Sequence, residues 1–329
     1  MQIHPAIAAL RSPSSQQRRA SAQTTAAMRR ARDSWLDLDQ TRRLIDGLER
    51  YGTGGRLDDC SELNRVMGDP ELAQTWVNTL FAATLKELRA WPFGEAPFRY
   101  RVASAFATMQ LLEAGEATLT LAAYEPLEGI EEPSSALFSD RHSIELILTG
   151  AASGLKHTIA LPVGGEGGPV RSERKRWCRG DQIETRPMAE ARHIVRVERS
   201  LVLLQLTREP LRARPVREVS LATGAVVRTA SGDKSASQTV MALSVLGALR
   251  AYNSLDVMEE TALNLEEDVD VRWEAARQAL GLGAVRGMGV LEALAIRDDD
   301  PLSQPAIALK EQLLSGLRGS SLTDFQCRS

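Results

Sequence analysis

Three of the four histidines in this chain of 329 residues, His142, His157 and His193, fall within one stretch of short apolar and alternating segments. Neutral imidazole suits Fe, Mn and Zn, and several strands can converge such ligands on one interior. Side chains alternate across a strand, so each ring can be assigned a face. His142 shares its face with Ile144, Leu146 and Leu148, His157 with Leu155, Ile159 and Leu161, and His193 with Val195 and Val197. The pattern predicts that all three rings point into the core or a barrel interior. Glu145 lies an odd number of positions from His142 and is expected to face away from it. By the same alternation Arg192 and Arg196 face away from His193, onto a solvated outer surface.

The charge distribution sharpens this picture. The net charge is −3, yet residues 141–217 hold fifteen basic against eight acidic residues, between acidic neighbours on either side. Arg171, Arg174, Lys175, Arg176 and Arg179 crowd the segment before His193. Guanidinium groups recognise carboxylate or phosphate through paired donors, so a basic rim would suit an anionic small molecule. The arginines lie among apolar segments without aromatic interleaving, which argues against nucleic acid as a partner. Other matches fall away. Gly164–Gly168 is glycine-rich but is followed by Pro169 and not by a Lys-Ser/Thr pair, so it is no phosphate loop. Cys60, Cys178 and Cys327 are too scattered for a zinc quartet or a disulfide framework and are expected as free thiols in a reducing cytoplasmic compartment. No apolar run reaches the ~18 to 20 residues of a membrane span.

These residues must be positioned by distinct elements. Residues 1–33 are rich in Ala, Ser, Gln and Arg and poor in large apolar residues, and are expected as a disordered basic tail. Residues 34–96 read as a helical arm, a cap or oligomerisation element. Within it Asp69 is a candidate N-cap, with Pro70 in the first turn and Leu72, Trp76 and Leu80 on a buried stripe. Residues 97–236 read as a β domain with strands at Phe98–Ala103, Ala117–Ala123, Ser143–Thr149, Leu155–Leu161, Gln182–Thr185, His193–Val197, Leu201–Thr207, Val216–Leu221 and Ala225–Thr229. Too little helix separates them for a parallel sheet, so an antiparallel barrel or sandwich is expected. Residues 237–318 are helical again, with a flexible tail at 319–329. Here Leu249–Leu263 aligns with Leu280–Leu294 at an offset of 31 residues, the scale of stacked helix pairs.

Two family resemblances rest on these motifs. Gly180-Asp181, a short strand, Pro187 and then His193, followed by Leu201–Leu206, resemble the second conserved motif of the cupins. That resemblance implies a jelly-roll β domain that holds Fe, Mn or Zn or a small ligand. The glycine expected after the proline and the His-x-His of the first motif are absent, so of the family's ligands only His193 carries over. The segment Asp268–Leu280, with Val271, Arg272, Ala275 and Ala276, is similar to a HEAT repeat, in which an acidic loop precedes a helix with paired alanines. A weaker unit follows at 298–314. The resemblance implies a helical surface for a protein partner.

The expected architecture is thus α+β and multidomain: a central antiparallel cupin-like barrel or sandwich flanked by N-terminal helices and a C-terminal helical repeat stack. The expected function is non-catalytic binding of a small, anionic ligand, or an adaptor or regulatory role, with His142, His157 and His193 at the ligand and no cofactor. The alternative is a metal-dependent oxygenase or isomerase in which the same three histidines hold Fe, Mn or Zn.

Overall fold

The computed structural model describes residues 15–128, 131–160 and 167–323. The chain divides into two compact units, one up to Ala230 and the other from Ser231. The first begins with helices α1 (Ser15–Leu36), α2 (Asp39–Gly52), α3 (Ser61–Gly68) and α4 (Pro70–Ala90). Residues 15–33 are therefore helical, not a disordered tail, and residues 1–14 lie outside the described region. Composition misleads here because α1 buries small residues: Ala27, Met28, Ala31 and Trp35 are covered, and Trp35 stacks at 5.0 Å on Trp76 of α4. The Asp69 cap forms as its residue type dictates. Its carboxylate accepts from the Glu71 and Leu72 amides at 2.9 and 3.2 Å, meeting two of the orphan donors of α4.

Strands β1 (Tyr100–Ala103), β2 (Phe106–Ala114), β3 (Ala117–Tyr124), β5 (His142–Ile159), β6 (Val170–Cys178), β7 (Gln182–Thr185) and β8 (Glu190–Arg208) form one antiparallel sheet. Its order is β1-β2-β3-β8-β5-β6, with β7 also paired to β5. A second sheet holds β4 (Ser135–Phe138), β9 (Val216–Ser220) and β10 (Val226–Ala230) in the order β10-β9-β4. The expected barrel is not closed, because β1 and β6 end the larger sheet without pairing to one another. Nor do the helices stand apart as an arm. Leu44, Leu48, Leu63, Met67 and Trp76 share a core with Leu119, Leu146, Leu148, Leu204 and Leu206, so α2 to α4 cover one face of β2, β3, β5 and β8. Fully burying each such side chain is worth ~1.5–3 kcal/mol.

Four expected strands merge into two long ones. Segments 143–149 and 155–161 lie in β5 up to Ile159, and 193–197 and 201–207 lie in β8. Glycine reads as a turn in a sequence, but here it permits a crease. Gly150 has φ +90°, and a Cβ there would lie 2.3 Å from the Ser200 carbonyl oxygen. At Gly154 a Cβ would lie 2.0 Å from the His193 oxygen. Register shifts between Ile147 and Gly154 bend the ladder further, as bulges do.

The second unit contains α5 (Lys234–Ala248), α6 (Leu255–Leu263), α7 (Val269–Leu282), α8 (Ala284–Ala295) and α9 (Ser303–Thr323). Helix α7 is the centre, with α5, α6 and α8 packed on it. Its buried alanines Ala275, Ala276 and Ala279 allow that approach. The 31-residue offset relates α6 to α8. Helix α9 runs to Thr323, so 319–323 are helical, and 324–329, with Cys327, lie outside the described residues.

Candidate functional site

The crease in the β5/β8 ladder creates the site. In register, Glu145 lies opposite Gln205, and Arg192 lies opposite Lys156, eleven residues further along β5. A straight strand would hold these rows about 36 Å apart at ~3.3 Å per residue. Instead Arg192 makes a bidentate ion pair with Glu145, and Lys156 Nζ donates to the Glu184 carbonyl on β7 at 3.1 Å. The ladder therefore folds over, and the face bearing Glu145, Ile147, Ala152, Lys156 and Arg192 becomes the inside. Ala122, Ile147, Ala152, Trp177, Val197 and Leu203 fill its apolar part.

The polar part is a connected network. Glu145 is 2% exposed; it also accepts from Gln205 Nε2 at 2.7 Å, and Gln205 in turn reaches Ser143. Burial works against the charge of Arg192, but the adjacent Glu145 carboxylate outweighs it, and the arginine's pKa is raised. Lys156 pairs with Glu190 at 3.3 Å, and Arg186 donates to the same carboxylate at 2.9 Å. Burial acts to raise the Glu190 pKa, yet these cationic donors hold the carboxyl below its ordinary value. Next to this network opens a cavity of about 490 Å³ whose lining includes Lys156, Thr158, Arg171 and Glu173. Lys156 and Thr158 stand opposite Glu173 and Arg171 on β6. Glu173 is engaged by Lys175 at 2.6 Å, whereas Arg171 has no hydrogen-bond or ion-pair partner among the described residues.

The histidines lie on the other face. His142 sits with Ile144, Leu146 and Leu148 toward the helices, its Nδ1 2.7 Å from the Tyr51 hydroxyl and its Nε2 2.8 Å from Glu184 Oε1. His157 and His193 do meet, with Nε2 and Nδ1 3.1 Å apart, and Ser172 Oγ lies 2.7 Å from His157 Nδ1. Their face looks toward β4 and β9, where Ile159 and Ala191 pack on Phe138 and Val219. For His142 and His157 alternation thus identified a buried face correctly, but it is the outer side of a folded sheet; for His193 it fails at Val197, which lies in the interior past a register shift. The residues expected outside, Glu145 and Arg192, form the interior.

Two of the three rings meet and the third does not, so the expected Fe, Mn or Zn site of His142, His157 and His193 does not form. Among the described residues no group of three or more His, Cys, Asp or Glu side chains is placed to hold a metal ion. Burial first, and then the neighbouring His193, push the His157 pKa down to about 4. Burial and the Arg192 charge lower His193 as well. The order Ser172, His157, His193 has the spacing of a nucleophile, base and orienter. However, an imidazole near 4 is a weak base at neutral pH, so we assign the row a packing role.

The other basic residues of the 171–179 segment are committed. Arg174 pairs with Glu132, Arg176 with Glu198 at 2.9 Å, and Arg179 with Glu71 at 2.5 Å, all on an exposed edge. Cys178, beside Arg176 and Arg179, is not an activated thiol, since hydrogen bonding to Asp181 and that carboxylate's charge raise its pKa. The signal that could have found the interior was Glu145 itself. A lone carboxylate in the apolar run Ile144–Leu148 requires a buried partner.

No family model matches the chain, and no curated protein matches it. Among solved structures, a 7S globulin of Momordica charantia is similar at 12% identity and a TM-score of 0.25, over 34% of this chain and 32% of that one. An oxalate decarboxylase of Bacillus subtilis is similar at 13% identity and 0.25, over 34% of this chain and 27% of that one. A cupin superfamily protein of Desulfitobacterium hafniense is similar at 14% identity and 0.21, over 33% of this chain and 81% of that one. The chain spans about a third or less of the length of the first two. No described helix is long and apolar enough to cross a membrane.

Proposed function

We propose that the protein is a small-molecule-binding regulatory protein whose degenerate, cupin-like sandwich takes an anion on the inner face of the folded sheet. The observation that carries this reading is the cavity of about 490 Å³ lined by Lys156, Thr158 and Arg171, beside a network whose own charges are paired. Arg171 supplies an uncommitted guanidinium, Lys156 an ammonium already fixed in place, and Thr158 a hydroxyl. Together they suit a carboxylate or phosphate group. The turn at Gly180-Asp181 into β7, and Pro187 leading into β8 with His193, keep the order that the cupin resemblance implies.

The second unit is read as HEAT-like helices that engage a protein partner. The Asp268 cap of α7, which accepts from the Asp270 amide at 2.9 Å, supports this reading. So do Met241, Val245 and Leu249, exposed apolar residues at one-turn spacing. Free Cys60 and Cys178 suit a cytoplasmic setting.

Titration calorimetry of the full chain with citrate, malonate and inorganic phosphate tests the anion site. At least one should bind, and Lys156→Ala with Arg171→Ala should weaken it about tenfold or more, equivalent to ~1.4 kcal/mol. Undiminished binding in the double variant, or no binding by the parent protein, overturns the assignment.

A further inference from the structure

A second pocket, remote in register from the first, lies where the end of α2, the β2–β3 turn and the two ends of the β5/β8 ladder come together. Its volume is about 280 Å³, and Gly52, Glu116, Asp140, His142, Pro187 and Arg208 contribute to its wall. Three of these side chains are already satisfied or backed. Asp140 accepts from Arg214 Nε and Nη2 at 3.0 and 2.8 Å, which neutralises it and lowers its pKa. His142 is held on both ring nitrogens by Tyr51 and Glu184. Arg208 is pinned from one side only: Nη1 donates to the Tyr51 and Gly55 carbonyls at 3.1 and 3.0 Å, and the guanidinium carbon lies 4.4 Å from the Tyr51 ring centre.

Two charges remain. The Nε and Nη2 edge of Arg208 has no acceptor among the described residues, and that edge presents two parallel donors suited to a carboxylate. The Glu116 carboxylate has no hydrogen-bond or ion-pair partner among the described residues, and its residue is half-buried in the turn. An uncommitted cation and an uncommitted carboxylate on one small wall select a molecule that carries both opposite charges. At ~30 Å³ per water the pocket holds about nine waters, so its ligand has roughly that many non-hydrogen atoms. Pro187 and Pro210 complete the wall and favour a neutral remainder.

We propose that this pocket binds a free amino acid with a neutral side chain, its carboxylate on Arg208 and its ammonium on Glu116. The site is independent of the interior anion cavity.

Titration calorimetry of the full chain with glycine, L-alanine, L-leucine and L-glutamate tests it, with acetate and ethylamine as half-ligands. A neutral amino acid should bind, and each half-ligand should bind about tenfold or more weakly. Glu116→Gln, an isosteric change in the β2–β3 turn, should keep the fold by circular dichroism and weaken the amino acid by about tenfold while leaving acetate unchanged. The Lys156→Ala and Arg171→Ala variant should bind the amino acid as the parent does. Failure of every amino acid to bind at 10 mM (about the weakest affinity of interest, ~3 kcal/mol), or equal affinity in Glu116→Gln, overturns the proposal.

Discussion

Among the described residues each unit buries an arginine–carboxylate pair, and the two pairs are built differently. In the helical unit Arg272 and Asp300 are almost fully covered, with side chains 2% and 1% exposed. Each also serves the backbone. Arg272 Nε donates to the Ala262 carbonyl at 3.2 Å, and Asp300 accepts from the Leu302 amide at 3.0 Å. In the β unit Arg192 and Glu145 are helped by side chains, Tyr124 at Arg192 and Gln205 at Glu145, and Arg192 stands opposite Lys156, which lines a cavity. The helical pair ties loops to helices. The β pair joins two layers of a folded sheet and sets the charge of the space between them.

The largest effects should come from breaking either pair on one side. Arg272→Leu and Arg192→Met each remove the nearest cation from a buried carboxylate, and each should lower stability by about 3–5 kcal/mol, read from chemical denaturation. The comparison sharpens when both partners are removed. Arg192→Met with Glu145→Leu strands only side-chain partners, Gln205 and Tyr124, and should regain most of the loss. Arg272→Met with Asp300→Leu strands the Ala262 carbonyl and the Leu302 amide and should regain little. Equal recovery in both units would remove the distinction drawn between them.

A somewhat smaller effect concerns pH and should be confined to the β unit. His157 is fully buried with a pKa pushed down to about 4, so the unfolded chain takes up its proton first as the solution is acidified. The stabilisation is complete above the unfolded value near 6.5 and is lost as pH falls from there toward 4. The loss amounts to about 3 kcal/mol at ~1.36 kcal/mol per pH unit. Denaturation curves of His157→Gln should be flatter over that window, and a slope equal to that of the parent protein would rule out this residue as the source.

The smallest effects are at helix caps and should not discriminate between the units. Asp69→Ala in the first and Asp268→Ala in the second each remove a carboxylate that accepts from two amides. Each should cost about 1 kcal/mol in thermal or chemical denaturation. A marked excess at Asp268 would measure its additional contact, the Ser231 hydroxyl that donates to it at 3.4 Å.

What could be read from the chain followed local rules. Asp69 and Pro70 fix the start of α4 through their own chemistry, and β7 has the bounds that its alternation dictates. Strand β6 escaped notice because it is an edge strand with charges on both faces, so no periodicity marks it. The interior escaped notice for a different reason. Alternation tells which side chains share a face, but not whether that face lies inside or outside a fold-over set by Gly150 and Gly154. His142 and His157 were therefore grouped correctly with apolar neighbours and assigned to the wrong side, whereas His193 was grouped with Val197, which a register shift at Val195 turns into the interior. The helical expectation from residue 34 onward was sound, but α1 extends far upstream because Ala27, Met28 and Ala31 add to the buried stripe that ends at Trp35.

The charged row on β6 has one more consequence. An edge strand offers unpaired amides and carbonyls to any other extended chain, and aggregation through such edges is a standing hazard. Arg174 and Arg176 are well exposed and Lys175 is partly so, and against them stands one carboxylate, Glu173, so a second β6 brought alongside would meet mostly like charge. Replacing these three residues by threonine or valine should leave the fold in place but lower the concentration at which the protein precipitates.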